Sequence, residues 1–277
     1  MLGISMKPVR ARNQIAAFSW LELLVVIVTV MLLAVVFTGV LSRAQPRSKR
    51  INCVSHLKQI GLAARMWSND NGEQFPWAIS TNKGGTLEFA ASPEVFRHFV
   101  VLSNEFSNSK VLVCPTDTAR EPATGTWLAL RNRNLSYLAG LDANETRPQT
   151  ILSGDRNILG GVTNGAWLVF RTTNPPSWGA DLHHLQGNVC LGDGSVQQFT
   201  ARSLTNQFQA ALATQTNPVI RLAIPRLSVG ELSAMSTFPR KLPHLVALVA
   251  GIFAVTTVWL VIRRGVRAAA ADDKANA

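Results

Sequence analysis

The residues best suited to chemistry in this sequence are His183 and Asp193, which nine residues separate. A histidine paired with an aspartate can activate a hydrolytic nucleophile, but the sequence marks no serine, threonine or cysteine for that role. Asp193 and Gly194 also lie between short apolar runs at 189–191 and 196–199, where a β-hairpin would turn. An aspartate in such a turn accepts hydrogen bonds from backbone N–H groups. We therefore predict structural roles and no enzymatic activity, with a hydrolytic centre at His183 and Asp193 as an alternative.

The chain has three cysteines, Cys53, Cys114 and Cys190. They are too far apart for a CxxC redox or zinc motif. Because their number is odd, at most one intrachain disulfide can form, and an exported domain would permit it. Three unpaired thiols are the other interpretation.

The formal net charge of +11 would suit a nucleic-acid-binding protein, but its distribution does not. Basic residues gather at the ends of two apolar runs, and no basic patch interleaved with aromatic residues occurs in the middle of the chain. The flanking basic residues are Lys7, Arg10, Arg12, Arg43, Arg47, Lys49, Arg50, Arg263, Arg264 and Arg267. We therefore predict no nucleic-acid partner.

The two apolar runs have the lengths and flanks of membrane helices. Residues 18–41 would span about 36 Å as a helix at ~1.5 Å per residue, more than the roughly 30 Å of a bilayer core. Residues 245–262 carry no charge and precede a tail at 263–277 that begins with arginines. The sequence thus predicts two transmembrane helices, a basic leader at 1–17 and both termini in the cytoplasm.

Between these runs the pattern predicts an α+β fold. Apolar residues recur every three or four positions within an amphipathic helix at 42–68. A globular domain follows at 69–214, and a linker with four prolines at 215–244. Predicted strands lie at 111–115, 136–140, 150–155, 167–171, 189–191 and 196–199, and a short helix lies at 201–213.

Glu22 is a carboxylate inside the first apolar run, where such a group usually has a partner. Residues 17–24 read AFSWLELL and resemble the cleavage and methylation signal of type IV pilins and type II secretion pseudopilins. In that family a prepilin peptidase cuts before a phenylalanine, and a glutamate at the fifth mature position pairs with a neighbouring subunit's N-terminus. The resemblance implies cleavage between Ala17 and Phe18 and an assembly role for Glu22. The family usually has glycine where this chain has Ala17.

Four further segments resemble elements of bacterial prepilin-like proteins. They are CVSHLKQIGLA at 53–63, CPTD at 114–117, GDRN at 154–157, and the H-X9-DG element at 183–194. The resemblance implies a long membrane-spanning helix that continues into a pilin-like α/β domain with a small antiparallel sheet. It also suggests a Cys53–Cys114 disulfide, because both cysteines lie in such segments.

The resemblance leaves a metal as an alternative at the family motif. Major pseudopilins bind calcium in a C-terminal loop, and calcium takes six to eight oxygen ligands. Asp193, Asp155, Asp142 and Asp117 could contribute, although no EF-hand-like spacing is present. We predict structural roles for His183, Asp193, Gly194 and Asp155, and no cofactor.

The resemblance predicts a structural protein of a type II secretion or type IV pilus-like system. Its partners would be prepilin peptidase and other pilin-like subunits, and its globular domain would lie in the periplasm of a bacterium, anchored in the inner membrane. A second membrane anchor would resist extraction into a filament, so a membrane-held periplasmic binding module for polysaccharide is the alternative. Its candidate contacts are Trp77, Trp127, Trp167 and Trp178, which core packing would also explain.

Overall fold

The computed structural model describes residues 20–215 and 218–227, without the side chains of 34–46. A single helix of 51 residues, α1 (Trp20–Asp70), begins this part of the chain. Its last five turns bury Cys53, Leu57, Ile60 and Ala64, which recur every three or four residues and therefore lie on one face. Gly72, in the left-handed conformation with φ +69°, follows its end.

Among the residues that the structure describes, no helix combines the length and the apolarity needed to cross a membrane. The apolar side chains that the structure describes at the start of α1 belong to residues 20–33 and are mostly exposed. Glu22 lies among them, in the first turn of the helix. The predicted membrane-spanning N-terminal helix is therefore wrong, and the predicted inner-membrane location is contradicted with it.

The central element is a seven-stranded antiparallel sheet in the order β4-β5-β9-β1-β2-β7-β8, larger than the small sheet predicted. Two short strands, β3 and β6, form a second sheet. In chain order the strands are β1 (Tyr137–Gly140), β2 (Ile151–Asp155), β3 (Ile158–Leu159), β4 (Val162–Asn164), β5 (Trp167–Phe170), β6 (Ser177–Trp178), β7 (Gly187–Leu191), β8 (Val196–Phe199) and β9 (Ile220–Ala223).

Helices cover both faces of the large sheet. On β7, Cys190 belongs to the core beneath α1, while Val189 and Leu191 belong to the core beneath α3 (Ala201–Ala213). The alternation follows from the two-residue period of a strand, which sends successive side chains to opposite faces. The helix α3 begins at a capping box in which Thr200 and Ser203 bind each other's backbone N–H.

The stretch between α1 and β1 contains no strand. It is built from one four-residue helix, α2 (Arg97–Val100), and from 3-10 turns. The turns are Pro76–Ala78, Thr81–Lys83, Leu87–Phe89, Ser103–Glu105, Ser109–Leu112, Trp127–Ala129 and Asn132–Asn134. The strand predicted at 111–115 is therefore wrong. Val111 and Leu112 are buried by packing in a 3-10 turn, and a short apolar run does not distinguish that from a strand.

A further correction concerns the predicted linker at 215–244. Residues 220–223 of it form β9, which pairs with β1 on one side and β5 on the other. Only long-range pairing identifies this strand, because the six residues between Pro218 and Pro225 carry little local pattern. The predicted leader, Ala17, Phe18, the C-terminal run at 245–262 and the tail lie outside the described residues.

Candidate functional site

A disulfide joins the C-terminal half of α1 to the loop before β1. It links Cys53 to Cys114, both fully buried, with a Cα–Cα distance of 5.1 Å. The third cysteine, Cys190, is a buried free thiol on β7, and burial raises its pKa to about 12. The pairing that the sequence resemblance suggested is thus the one in the structure.

His183 lies directly against this disulfide. Its Nε2 is 3.5 Å from Cys114 Sγ and 3.4 Å from Asp155 Oδ2. The side chain of His183 is 2% exposed and that of Asp155 is fully buried. Because burial disfavours charge, and Arg50 adds a nearby positive charge, the pKa of His183 is lowered to about 4. The imidazole is therefore neutral at pH 7.

The loop that carries His183 has an unusual backbone. His183, His184 and Leu185 have φ angles of 51°, 52° and 61°, in the left-handed region where a side chain costs about 1–2 kcal/mol per residue. Such strain persists only where surrounding contacts impose it. Asn157 supplies them, because its Nδ2 donates to the carbonyls of Gly179 at 2.9 Å and Leu182 at 3.0 Å. The loop therefore holds His183 against the disulfide.

Asp155 ends β2 at the centre of this cluster. Its Oδ2 accepts hydrogen bonds from the backbone N–H of Asn188 at 2.7 Å and from the Asn188 side chain at 2.9 Å. Its Oδ1 is buried and, among the residues that the structure describes, has no hydrogen-bond partner. Burial raises the pKa of Asp155 to about 7, although the Asn188 hydrogen bonds and the charge of Arg50 act in the opposite direction. A buried carboxylate with one unsatisfied oxygen is costly and uncommon.

Beside it lies a buried ion pair between Asp117 and Arg156. The Arg156 Nε donates to Asp117 Oδ2 at 2.7 Å and its Nη2 donates to Oδ1 at 2.9 Å, while Ser136 Oγ also donates to Oδ2. Burial alone would raise the pKa of Asp117, but the hydrogen bonds and charge of Arg156 outweigh it and the pKa ends below its ordinary value. This bidentate pair ties the 114–117 loop to the end of β2.

The family-like segments therefore converge, with one exception. Cys53, the 114–117 segment, the 154–157 segment and His183 meet in this cluster. Asp193 does not: its Oδ1 accepts from the backbone N–H of Ser195 at 2.8 Å, and its carbonyl accepts from Arg65 at 2.8 Å. Arg65 follows Cys53 by twelve residues, about 18 Å of helix at ~1.5 Å per residue. His183 and Asp193 thus contact different turns of α1, and the hydrolytic pair considered from the sequence is not formed.

The hairpin turn explains why Asp193 and Gly194 occur together. Gly194 has φ +80°, a conformation that favours glycine, and Asp193 caps the turn as predicted. Two of the other carboxylates considered for calcium have arginine partners. Asp142 binds Arg221 and Asp117 binds Arg156. In the part of the chain that the structure describes, the group whose donor atoms could hold a metal is Cys53, Cys114 and His183, whose ligand atoms lie within 4.8 Å of one another.

A second feature is an open groove of about 570 Å³ near α2. Its walls include Phe96, Arg97, Trp127 and Arg131. Both arginines lie over the Phe96 ring, at 5.5 Å and 5.4 Å from its centroid. Of the tryptophans named as candidate sugar contacts, Trp77 and Trp178 are buried in the core and Trp127 lines this groove.

The sequence did not point to Arg50 or Asn188. Arg50 was counted among the basic flanks of a membrane helix, yet it binds Gln186 and acts electrostatically on Asp155. Asn188 is one of the nine residues between His183 and Asp193 whose types the H-X9-DG element leaves open. The only sequence feature near Asn188 is the predicted strand that begins at residue 189. Comparison with protein families, curated proteins and solved structures found no match to this chain. Neither the structure nor these comparisons support the predicted pseudopilin and secretion-system assignment.

Proposed function

We propose that this protein is a non-catalytic structural subunit that is processed in the manner of prepilins and assembles with other copies of itself through the first part of α1. The observation that carries the proposal is the contrast between the two parts of this helix. From Cys53 onward one face of the helix is buried against the folded domain through Cys53, Leu57, Ile60 and Ala64, whereas the apolar side chains of residues 20–33 are exposed, with Ile27 half-buried.

The exposed part is a continuous apolar surface. Trp20, Leu21, Met31 and Leu32 are 63%, 68%, 66% and 63% exposed. Contiguous apolar surface of this kind marks an interaction site, because leaving it in water forfeits roughly 25 cal/mol per Å². A second helix of the same kind provides a matching surface, and an N-terminal amine from a neighbour provides a charge for Glu22.

Processing is tested on protein isolated from its own host. We expect intact mass and N-terminal peptide mapping to give a mature chain that begins at a methylated Phe18. The same preparation should contain cross-linkable oligomers. A chain that begins at Met1 or Met6 would contradict the proposed processing.

Assembly is tested by substitution on the exposed part of α1. Leu32→Glu should reduce chemical cross-linking between copies at least tenfold, because it places a charge in the apolar surface. Leu128→Glu is the matched control, since Leu128 is 80% exposed on the domain. Glu22→Ala should likewise reduce assembly without changing the unfolding curve. Equal cross-linking by the Leu32 and Leu128 variants would refute assembly through α1.

The groove near α2 favours a second candidate function, a binding module. Trp127 and the two arginines offer stacking and charge to a carbohydrate with acidic groups. Titration with a panel of acidic and neutral glycans should quench tryptophan fluorescence, and Trp127→Ala should abolish the quenching. A flat titration over the whole panel would count against this function.

A further inference from the structure

The cluster around the disulfide holds more ligand atoms than a structural cross-link uses. Cys53 Sγ, Cys114 Sγ and His183 Nε2 lie within 4.8 Å of one another, and all three residues are buried. Asp155 approaches the same Nε2 through Oδ2 at 3.4 Å. Cysteine sulfur, imidazole nitrogen and carboxylate oxygen are the ligand types that bind zinc in proteins, with tetrahedral geometry in structural sites.

A second observation points to a cation at this position. Asp155 is fully buried, and within the described part of the chain nothing forms a hydrogen bond with its Oδ1, while Oδ2 already accepts two hydrogen bonds from Asn188. An oxygen in that situation loses its hydration without replacement, which folded proteins generally avoid. A bound metal ion would satisfy it.

We propose that the Cys53–Cys114 disulfide and a zinc site are alternative states of one cluster, and that reduction of the disulfide creates the site. Its ligands are Cys53 Sγ, Cys114 Sγ and His183 Nε2, and Asp155, whose Oδ2 lies 3.4 Å from His183 Nε2, completes the tetrahedron after a side-chain shift. In the oxidised state the sulfurs are bonded to each other and are not thiolates, so the site cannot form.

The conversion balances with a dithiol or phosphine as the reductant. A dithiol transfers two electrons and two protons to the disulfide, the S–S bond breaks, and the reductant leaves as its own disulfide. A phosphine supplies the two electrons and leaves as its oxide, with water providing the oxygen and the two thiol protons. Zinc then binds both sulfurs and displaces the two thiol protons to solvent. The two sulfurs separate by side-chain rotation to reach Zn–S distances of about 2.3 Å.

The surrounding charge suits a bound zinc ion. Two thiolates and one carboxylate carry three negative charges, and zinc leaves one of them uncompensated. Arg50 is close enough to act electrostatically on both Asp155 and His183, and its guanidinium balances that last charge. Access runs through the loop at 181–186, of which Asp181, His184 and Leu185 are exposed.

The test compares zinc and cobalt binding by the folded chain before and after reduction with a phosphine under anaerobic conditions. We expect the reduced protein to bind one equivalent of Zn²⁺ in competition with a chromophoric chelator, and the oxidised protein to bind none. Co²⁺ should give the visible absorption of a tetrahedral site together with thiolate-to-metal charge transfer in the near ultraviolet. Far-ultraviolet circular dichroism, recorded with and without Zn²⁺, follows folding.

Matched variants distinguish this site from nonspecific metal uptake. His183→Ala and Asp155→Asn should weaken Zn²⁺ binding by the reduced protein at least tenfold. His184→Ala, which changes the adjacent exposed histidine, and Cys190→Ser, which removes the free thiol, should leave binding unchanged. Refolding of an unfolded reduced chain by Zn²⁺, with the tetrahedral cobalt spectrum, would also support the site. Equal Zn²⁺ binding before and after reduction, equal binding by the His183 and His184 variants, or absence of the tetrahedral spectrum would overturn it.

Discussion

At the scale of single residues, the cluster near the disulfide depends on pairing buried charges. Asp117 has a side chain that is 1% exposed and relies on Arg156, which is 14% exposed. Removing one member of such a pair leaves an uncompensated charge in a poorly polarisable interior, which costs more than the pair itself contributes. Substituting one member of the pair alone therefore measures the cost of the uncompensated buried charge.

We expect Arg156→Met to lower the free energy of unfolding by about 3–5 kcal/mol, because Asp117 is left buried without its partner. Urea denaturation at pH 7 measures the loss. Asp117→Asn combined with Arg156→Met should recover part of it. Arg97→Met is the control, since the Arg97–Glu94 pair is 41% and 43% exposed and should contribute about 1 kcal/mol or less. Similar losses of unfolding free energy for Arg156→Met and Arg97→Met would show that burial of the ion pair does not determine the size of the loss.

His98 should make stability fall in mild acid. It is 1% exposed, its Nδ1 binds Thr86 Oγ1 at 2.8 Å, and burial lowers its pKa to about 4. Since the unfolded chain has a histidine pKa of about 6.5, the unfolded state binds this proton more readily between pH 6.5 and 4. The stabilisation is thus complete above pH 6.5 and lost as the pH falls toward 4, by about 3 kcal/mol.

The variant His98→Gln checks this assignment because glutamine can bind Thr86 but cannot titrate. Urea unfolding at pH 7.5 and pH 4 should show a smaller loss for His98→Gln than for the unmodified chain, by about 2–3 kcal/mol. His184→Gln, at an exposed position, should lose as much as the unmodified chain. A loss in His98→Gln equal to that of the unmodified chain would assign the acid sensitivity to other groups.

At the scale of elements, α1 and β7 approach each other more closely than a side chain at position 61 would allow. A Cβ added at Gly61 would lie 2.5 Å from Cys190 Sγ and 3.4 Å from the Gly194 backbone. Glycine is unfavourable in a helix by about 1 kcal/mol relative to alanine. Close packing of the helix on the hairpin therefore explains a residue that helix propensity alone would disfavour.

Gly61→Ala should destabilise the protein by about 1–2 kcal/mol, because overpacking outweighs the gain in helix propensity. Thermal or urea unfolding measures it. Cys190→Ala removes the sulfur that the new methyl group would meet, so the double variant Gly61→Ala/Cys190→Ala should be more stable than the sum of the single changes indicates. Strict additivity of the two changes would disprove the contact as the cause.

At the scale of the whole molecule, the large sheet depends on β9, the last of its strands in chain order. β9 lies between β5 and β1, with Leu222 opposite Leu168 of β5 and Gly140 of β1. Without it, the hairpin of β4 and β5 has no hydrogen-bonded connection to the four strands β1, β2, β7 and β8. The seven-stranded sheet is therefore complete only when the chain includes the residues up to 223.

A chain that ends at Thr214 should lose cooperative unfolding, because the core beneath α3 also loses the buried side chains of Ile220 and Leu222. A chain that ends at Leu227 retains β9 and is the control. Circular dichroism during urea titration distinguishes the two. A single sharp transition at the same midpoint for both chains would show that β9 is dispensable.

The sequence by itself determined part of the local structure. The three-to-four periodicity placed a helix over 42–68, which lies within α1, and the strands β1, β2, β5, β7 and β8 and the helix α3 lie where alternation and turn residues predicted them. It also determined the turn at Asp193-Gly194, since both residues act on their own neighbours. These features depend on contacts within a few residues, so the residue types carry the information directly.

Only the tertiary structure decided which distant residues and strands contact each other. It placed His183 against Cys114 and Asp155 rather than Asp193, and it made a central strand of four residues in a predicted linker. It also placed Val111 and Leu112, where a strand was predicted, in a 3-10 turn. It also contradicted the predicted membrane-spanning helix. Each outcome depends on partners many positions away in the chain. Burial and pairing between distant segments override local pattern, and the sequence carries no local signal of which distant segments will pair.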